Sequence, residues 1–481
     1  MENAWIEMVI IGAYIGVLFL ISWYVKQRAA GSTENYVLAG RRLTTPLITV
    51  SIVGLAVGGA STIGVAEQAY KVGLSAGWYT AAWGIGAIVT GLTVAKKYRN
   101  MHMTTIPEIM ERYYDRKSMI AGIVCQILVQ LVVMSLQYVA GGAILAALMP
   151  QIFTPVTGML TSAVVFIGIT LIGGMWSASQ SNLLNVTLQY MGITVAAFLI
   201  LSLAGGIETV QLNLPSATAF DFVGGVGVMT IVTWIVVLVT VNLSLQAIIQ
   251  ISLGAKDVRT ARRGFVIGGL VMLPVGFVSA FLGVVAAELY PHISAMTALP
   301  KLIMELNPWI AGVTLASLWA ADVSTACNLL LSAATLYSHD IHKRFINPSM
   351  TDGQYMRVTR ASVLLLGLLT LGFALTISGI ISTLMAGLSL MASFSVIVLM
   401  TMYAPKYCSR HAAFYTIVTS VVVLAAWMAF PAVRILPHVI YAEWLACGSV
   451  FIGISACSQR AIKGDAPELD VEAVEMTPAQ H

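Results

Sequence analysis

The segment Ala320-Ala-Asp-Val-Ser-Thr-Ala-Cys-Asn328 sets Ala321, Ser324, Thr325 and Asn328 at i, i+3, i+4 and i+7, which is one face of a helix. Two neighbouring hydroxyls, joined by main-chain carbonyls from a broken helix, supply about five hard oxygen ligands, a set that suits a small monovalent cation. The same hydroxyls also serve for bonding between helices or back to their own backbone. A partner segment is Val50-Ser-Ile-Val-Gly-Leu-Ala-Val-Gly-Gly-Ala-Ser-Thr-Ile-Gly64, with Gly54, Gly58, Gly59 and Gly64 beside Ser61 and Thr62. Paired glycines weaken helical pairing, and an interruption there frees carbonyls for a cation and a half-helix N-terminus for an anion. Close packing of helices through small residues produces the same composition.

Two carboxylates fall inside apolar runs, where an unpartnered charge costs several kcal/mol. Glu67 has Lys71 four residues on, the favourable order for a helical pair. Asp322 has no cation near it in sequence, so it stands between a coupling or proton-binding role and a bond between helices. The amides Gln126, Gln130, Gln137, Gln246 and Gln250, with Asn242, are either bridges between helices or ligands for a solute. Histidines lie in basic loops or near an outer face. Cys125, Cys327, Cys408, Cys447 and Cys457 show no metal-site spacing and read as small apolar fillers.

The elements that carry these groups must cross a membrane. Of 481 residues 58% are hydrophobic and only 10% charged, with a mean hydropathy of +0.88, where a soluble chain of this length carries roughly 120 charged residues. That excludes a soluble enzyme, a nucleic-acid binder and a disordered scaffold, and makes the lipid bilayer the solvent. Apolar stretches of sufficient length fall at 5–25, 44–70, 75–95, 118–149, 155–174, 182–204, 224–253, 264–290, 308–338, 359–379, 382–403, 411–431 and 439–458, which predicts an all-α integral membrane protein of about thirteen helices. The first run follows acidic Glu2 and contains Glu7 rather than following a basic segment, so it is expected to remain as a span. Lys and Arg collect in alternate loops and leave only Lys71, Lys301 and Arg434 for the other side, which puts the N-terminus outside and the C-terminus in the cytoplasm. Residues 461–481, acidic and rich in Pro and Ala, read as a short disordered tail, and no soluble domain is expected. Function must then sit among the helices. No HExxH, GxSxG or paired catalytic acids occur in the spans, so an enzyme is not expected.

At three further tracts the sequence resembles the sodium:solute symporter family, which includes bacterial proline, pantothenate and sialic-acid carriers and the sodium-glucose transporters. They are Asn35-Tyr-Val-Leu-Ala-Gly-Arg-Arg42, Ile172-Gly-Gly-Met-Trp-Ser177, and Gln246-Ala-Ile-Ile-Gln250 running on to Leu253-Gly-Ala-Lys-Asp257. The resemblance implies a leucine-transporter-type fold: an N-terminal helix and loop over 1–43, two inverted five-helix repeats over 44–204 and 205–403 whose first core helix is discontinuous, and two C-terminal helices over 404–460. It implies a sodium ion, the transported coupling ion, held at Gly54, Val57, Ala321, Ser324 and Thr325, with a solute pocket near Ala60, Ser61, Thr62, Gln130 and Gln246. Where the family often carries an Asp linked to an additional sodium, this chain has Asn182, so 1:1 coupling is expected, with Asp322, Asn182 and Asn328 as possible coupling residues. Sugar-contacting positions read Ala56, Gly58, Ala60 and Ser61, and the sugar-capping tyrosine aligns with Ala247. An amino acid or short carboxylate is therefore favoured over a hexose, imported by a monomer in the cytoplasmic membrane. Proton coupling through Asp322 and a transporter-derived receptor are the alternatives.

Overall fold

The computed structural model describes residues 4–29, 32–213, 218–376 and 380–458; the break near Gly379 and the acidic tail fall outside them. Among the described residues there are only helices and turns, apart from one isolated bridge between Leu43 and Ala255. Among the described residues, nine helices are long and apolar enough to cross a bilayer, or eleven when two bent pairs each count as one span. The pairs are Thr45–Ala56 with Ala60–Val72, bent by 59°, and Val228–Ser244 with Gln246–Leu253, bent by 50°. The second bend sits at Leu245, whose extended backbone (φ −74°, ψ 126°) ends one helix and starts the next.

Local sequence explains most helix starts. Asp115 and Asp257 each accept a backbone N–H three residues on at 2.7 Å, opening the helices Arg116–Leu148 and Val258–Leu289. Thr154 and Thr351 form reciprocal boxes with Thr157 and Gln354. The expected span at 75–95 is a helix of 15 residues, Trp78–Leu92, short of the roughly 20 that a full crossing needs.

The expected spans 155–174 and 182–204 are joined in Pro155–Leu203, whose 49 residues are interrupted at Gly174 (φ 52°, ψ −135°). Only glycine tolerates that backbone comfortably, and a methyl there would lie 2.5 Å from the Tyr36 carbonyl. Contacts with the first helix, Ala4–Ala29, give the direction of each half. Before the glycine, Gly168 faces Phe19 and Gly173 faces Ser22; after it, Ser177 bonds to Ser22 and Asn185 to Tyr14. The second half therefore runs back along the first helix, and a single residue does the work assigned to a loop at 175–181.

The span Pro308–Ile346 lies at the centre, with 89% of its apolar window buried, against 28% for the first helix and for Ala412–Ala429 and Val439–Cys457. Those outer helices turn Leu20, Trp23, Val422 and Ile452 outward, as lipid contact requires. A seam of small residues packs Val258–Leu289 against its neighbours. Methyls on Gly84, Gly269, Gly276 or Gly283 would come 2.4–2.6 Å from an opposing backbone carbonyl.

Candidate functional site

In an uninterrupted helix the N–H groups of residues 58–61 would bond the carbonyls of residues 54–57. Here Val57 leaves helical geometry (φ −98°, ψ 63°) and those partners are exchanged. Gly54 O accepts from Ser324 Oγ at 2.8 Å and Thr325 Oγ1 at 2.9 Å. Ala56 O accepts from Ser61 Oγ at 2.7 Å, and Val57 O from Gln189 Nε2 at 3.0 Å. The Gly59 N–H donates to Gln137 Oε1 at 2.9 Å, and the Ser61 N–H to Gly58 O at 3.0 Å. Residues Ala60–Gly64 then wind as a wider turn, with the Gly64 N–H bonded to Gly59 O. The glycine-rich tract is thus a break whose carbonyls are met by side chains.

Glycine is required at the break by space. A methyl on Gly58 would meet Gln137 Oε1 and Thr325 Oγ1 at 2.4 Å, and one on Gly59 would meet Ala140 Cβ at 2.3 Å and Asp322 Oδ1 at 2.6 Å.

The polar face expected on the ninth run is present on Pro308–Thr335, and its hydroxyls point at the break. Ser324 Oγ and Thr325 Oγ1 each lie within 3.2 Å of both Gly54 O and Ala321 O. Each hydroxyl has one hydrogen to share between two carbonyls. The result is a buried cluster of four oxygens with two hydrogens, chemistry suited to a hard cation. Among the described residues, no group of three His, Cys, Asp or Glu could hold a metal ion.

Asn182 abuts this cluster: a methyl on Gly54 would lie 2.9 Å from its amide carbon, and neither of its polar atoms has a hydrogen-bond partner. Asn328 Nδ2 donates to Ser324 O at 2.8 Å while its Oδ1 is unpartnered. Asp322 is fully buried beside Gly59, with neither oxygen hydrogen-bonded.

Other expected residues stand apart or have different work. Ser61 and Thr62 spend their hydroxyls on the carbonyls of Ala56 and Gly58, so they cap the break. Gln130 donates to its own helix at Gln126 O, with Oε1 unpartnered. Gln246 does not join the site. Its Oε1 accepts the Ile106 N–H at 2.7 Å and its Nε2 donates to Thr104 O at 3.2 Å, so it pins the 101–105 loop. Gln126 and Gln250 likewise bridge to backbone at Ser244 and Val37, and Lys71 pairs with Glu67 at 3.0 Å. Gln189 is the residue that sequence reasoning missed; nothing distinguishes it locally from other amides in apolar runs.

A discontinuous helix whose freed carbonyl meets hydroxyls of a buried central helix is the arrangement expected of a membrane carrier. The model of the sodium:solute symporter family matches residues 36–420, and the chain belongs to that family. It is 24% identical over 407 residues to the sodium/glucose cotransporter of Vibrio parahaemolyticus, covering 75% of this chain and 73% of that one. It is 25% identical over 370 residues to the sodium/proline symporter of Haemophilus influenzae, covering 71% and 72%. The solved outward-open, substrate-bound Na+-coupled sialic acid symporter superposes with a TM-score of 0.80 at 17% identity, over 95% of this chain and 98% of that chain, which establishes the shared fold. Sodium is accordingly the coupling ion of the family to which the chain belongs.

Proposed function

We propose that this chain is a secondary-active symporter that imports a small polar metabolite with one sodium ion, through thirteen crossings arranged as one helix, two inverted repeats of five and two C-terminal helices. The observation that carries the reading is the convergence of Ser324 and Thr325 on the Gly54 carbonyl across the break. Sodium sits among Gly54 O, Ala321 O, Ser324 Oγ and Thr325 Oγ1, with Val57 O adding a ligand through the lone pair that Gln189 leaves free. The ion draws the interrupted helix onto Pro308–Thr335, which closes the inner path and completes a solute pocket beside Gly58, Gly59 and Ala60. Its release to the cytoplasm reverses both. A single inward charge draws about 2.3 kcal/mol per 100 mV from the membrane potential.

Asn182 in place of a carboxylate supports one ion per cycle. The N-terminus is outside, because the basic loops then face the cytoplasm. The solute is an amino acid or short carboxylate and not a sugar: the pocket wall at Ala56, Gly58 and Ala60 has no polar side chain, and the Ser61 hydroxyl is already bonded to Ala56. Of the two named relatives, the proline carrier is the better guide. The test is 22Na+ binding to purified protein with K+ as competitor. Saturable binding at one site per chain that K+ does not displace is expected; its absence would overturn the proposal.

A further inference from the structure

We propose that the solute carries a cationic nitrogen, a protonated amine or a quaternary ammonium, seated at the Gly58–Gly59 step against the Asp322 carboxylate. The inference rests on the symporter reading and specifies its cargo.

Asp322 is 0% exposed on the central helix, and neither oxygen has a hydrogen-bond partner. No ion pair involves it among the described residues. An uncompensated charge at such depth costs several kcal/mol. The contrast with Glu67, which holds Lys71 at 3.0 Å, shows how the chain treats a carboxylate that it neutralises itself.

The carboxylate is aimed at the break. Its Oδ1 lies 2.6 Å from where a methyl on Gly59 would stand, so the carboxylate packs directly against the glycine backbone at the break. The backbone donor nearest it, the Gly59 N–H, is shared with Gln137 Oε1, and Gln137 Nε2 donates to Val133 O at 3.3 Å. What faces the step is two carboxylate oxygens, Gln137 Oε1 with a remaining lone pair, and Thr325 Oγ1, whose single hydrogen is shared between Gly54 O and Ala321 O. An ammonium group, which only donates or only carries charge, matches that set. A solute bearing only a carboxylate would meet like charge there. The Ala140 methyl beside Gly59 and the small side chain of Ala60 provide an apolar wall for the carbons on the nitrogen. Sodium has its own neutral oxygens at Gly54, Ala321 and Ser324, distinct from the Asp322 carboxylate.

The test measures thermal shifts of the purified full chain in Na+ and again in K+. The probes with a cationic nitrogen are proline, glycine betaine, choline and putrescine; those without are pyruvate, succinate, glucose and inositol. At least one of the first group should stabilise the protein and none of the second. In Asp322→Asn the midpoint concentration of that probe should rise about tenfold or more, the loss of a contact to a charged group, while the shift caused by Na+ alone persists. Asp322→Glu should keep the preference for cationic nitrogen at weakened affinity. A shift from pyruvate or glucose, no shift from any cationic probe, undiminished binding in Asp322→Asn, or a fall in the Na+ Hill slope in that variant would each overturn the assignment. Loss of the Na+ shift in the wild-type chain strikes the symporter reading instead, and a cationic probe that stabilises in K+ then still supports the role of Asp322.

Discussion

Removing the hydroxyls of Ser324 and Thr325 singly and together separates an ion site from ordinary helix packing. Both donate to Gly54 O, at 2.8 and 2.9 Å, so either single alanine variant leaves that buried carbonyl one partner. Without an ion, each single change costs about 0.5–1.5 kcal/mol of stability, the net worth of one hydrogen bond. The double variant strips the carbonyl and adds about 1–3 kcal/mol for an unsatisfied buried acceptor, so the pair is more than additive. Sodium binding has a steeper scale. A polar contact to a charge is worth about 1.5–3 kcal/mol, hence a loss of roughly 10- to 150-fold in Na+ affinity for each single variant and no measurable site in the double. Equilibrium 22Na+ binding gives the affinities and chemical denaturation in detergent gives the stabilities. Variants that lose stability as described yet bind Na+ like the wild type would refute the argument, because the hydroxyls would then serve packing alone.

Gly174→Ala should destabilise the fold by about 2–5 kcal/mol, combining an unfavourable backbone region with a methyl 2.5 Å from the Tyr36 carbonyl; an unchanged melting temperature would refute the reversal of the chain at that residue. Gln246→Leu leaves the Ile106 N–H without its acceptor and should cost about 1–3 kcal/mol with Na+ affinity untouched, whereas lost Na+ affinity at constant stability would return Gln246 to the site. Burial tends to raise the Asp257 pKa, but the Thr260 backbone and side chain and Lys256 outweigh it and hold the group below 3.8, so it contributes stability above its unfolded pKa that is lost as pH falls through the lower folded value. Asp257→Ala should therefore cost about 1 kcal/mol near neutral pH and less in acid, read from denaturation midpoints at both; an equal cost throughout would remove the charge from the account.

The central pieces of the site were legible because they are local. Small residues at 54, 58 and 59 and the hydroxyl face at 324 and 325 are visible in short windows, and the structure brings them together. The amides were harder. Gln126, Gln130 and Gln137 share one helix face, but only depth distinguishes them: Gln137 lies about 16 Å beyond Gln126 along the axis, level with the break, while Gln126 bonds the far bend at Ser244. Val57 to Gln189 is a contact over 132 residues, and no periodicity reveals such a partner. Gln246 bonds the backbone at Thr104 and Ile106, partners about 140 residues away that its own motif does not reveal. The turn at Gly174 was legible as the end of the run 155–174, but its tightness was not, because a reversal made by one glycine leaves no polar loop to read.

The glycine seam along Val258–Leu289 limits how the protein can move. Where backbones touch at Gly84 and Gly269, at Gly77 and Gly276, and at Ala66 and Gly283, there is no layer of side chains to change rotamer as one helix slides past another. Ala60–Val72, Trp78–Leu92 and Val258–Leu289 are therefore expected to move together as one stiff body. Alternation between the two faces of the membrane is then expected at the opposite boundary, where the break at Gly58 and Gly59 meets Arg116–Leu148 through Gln137 and Ala140.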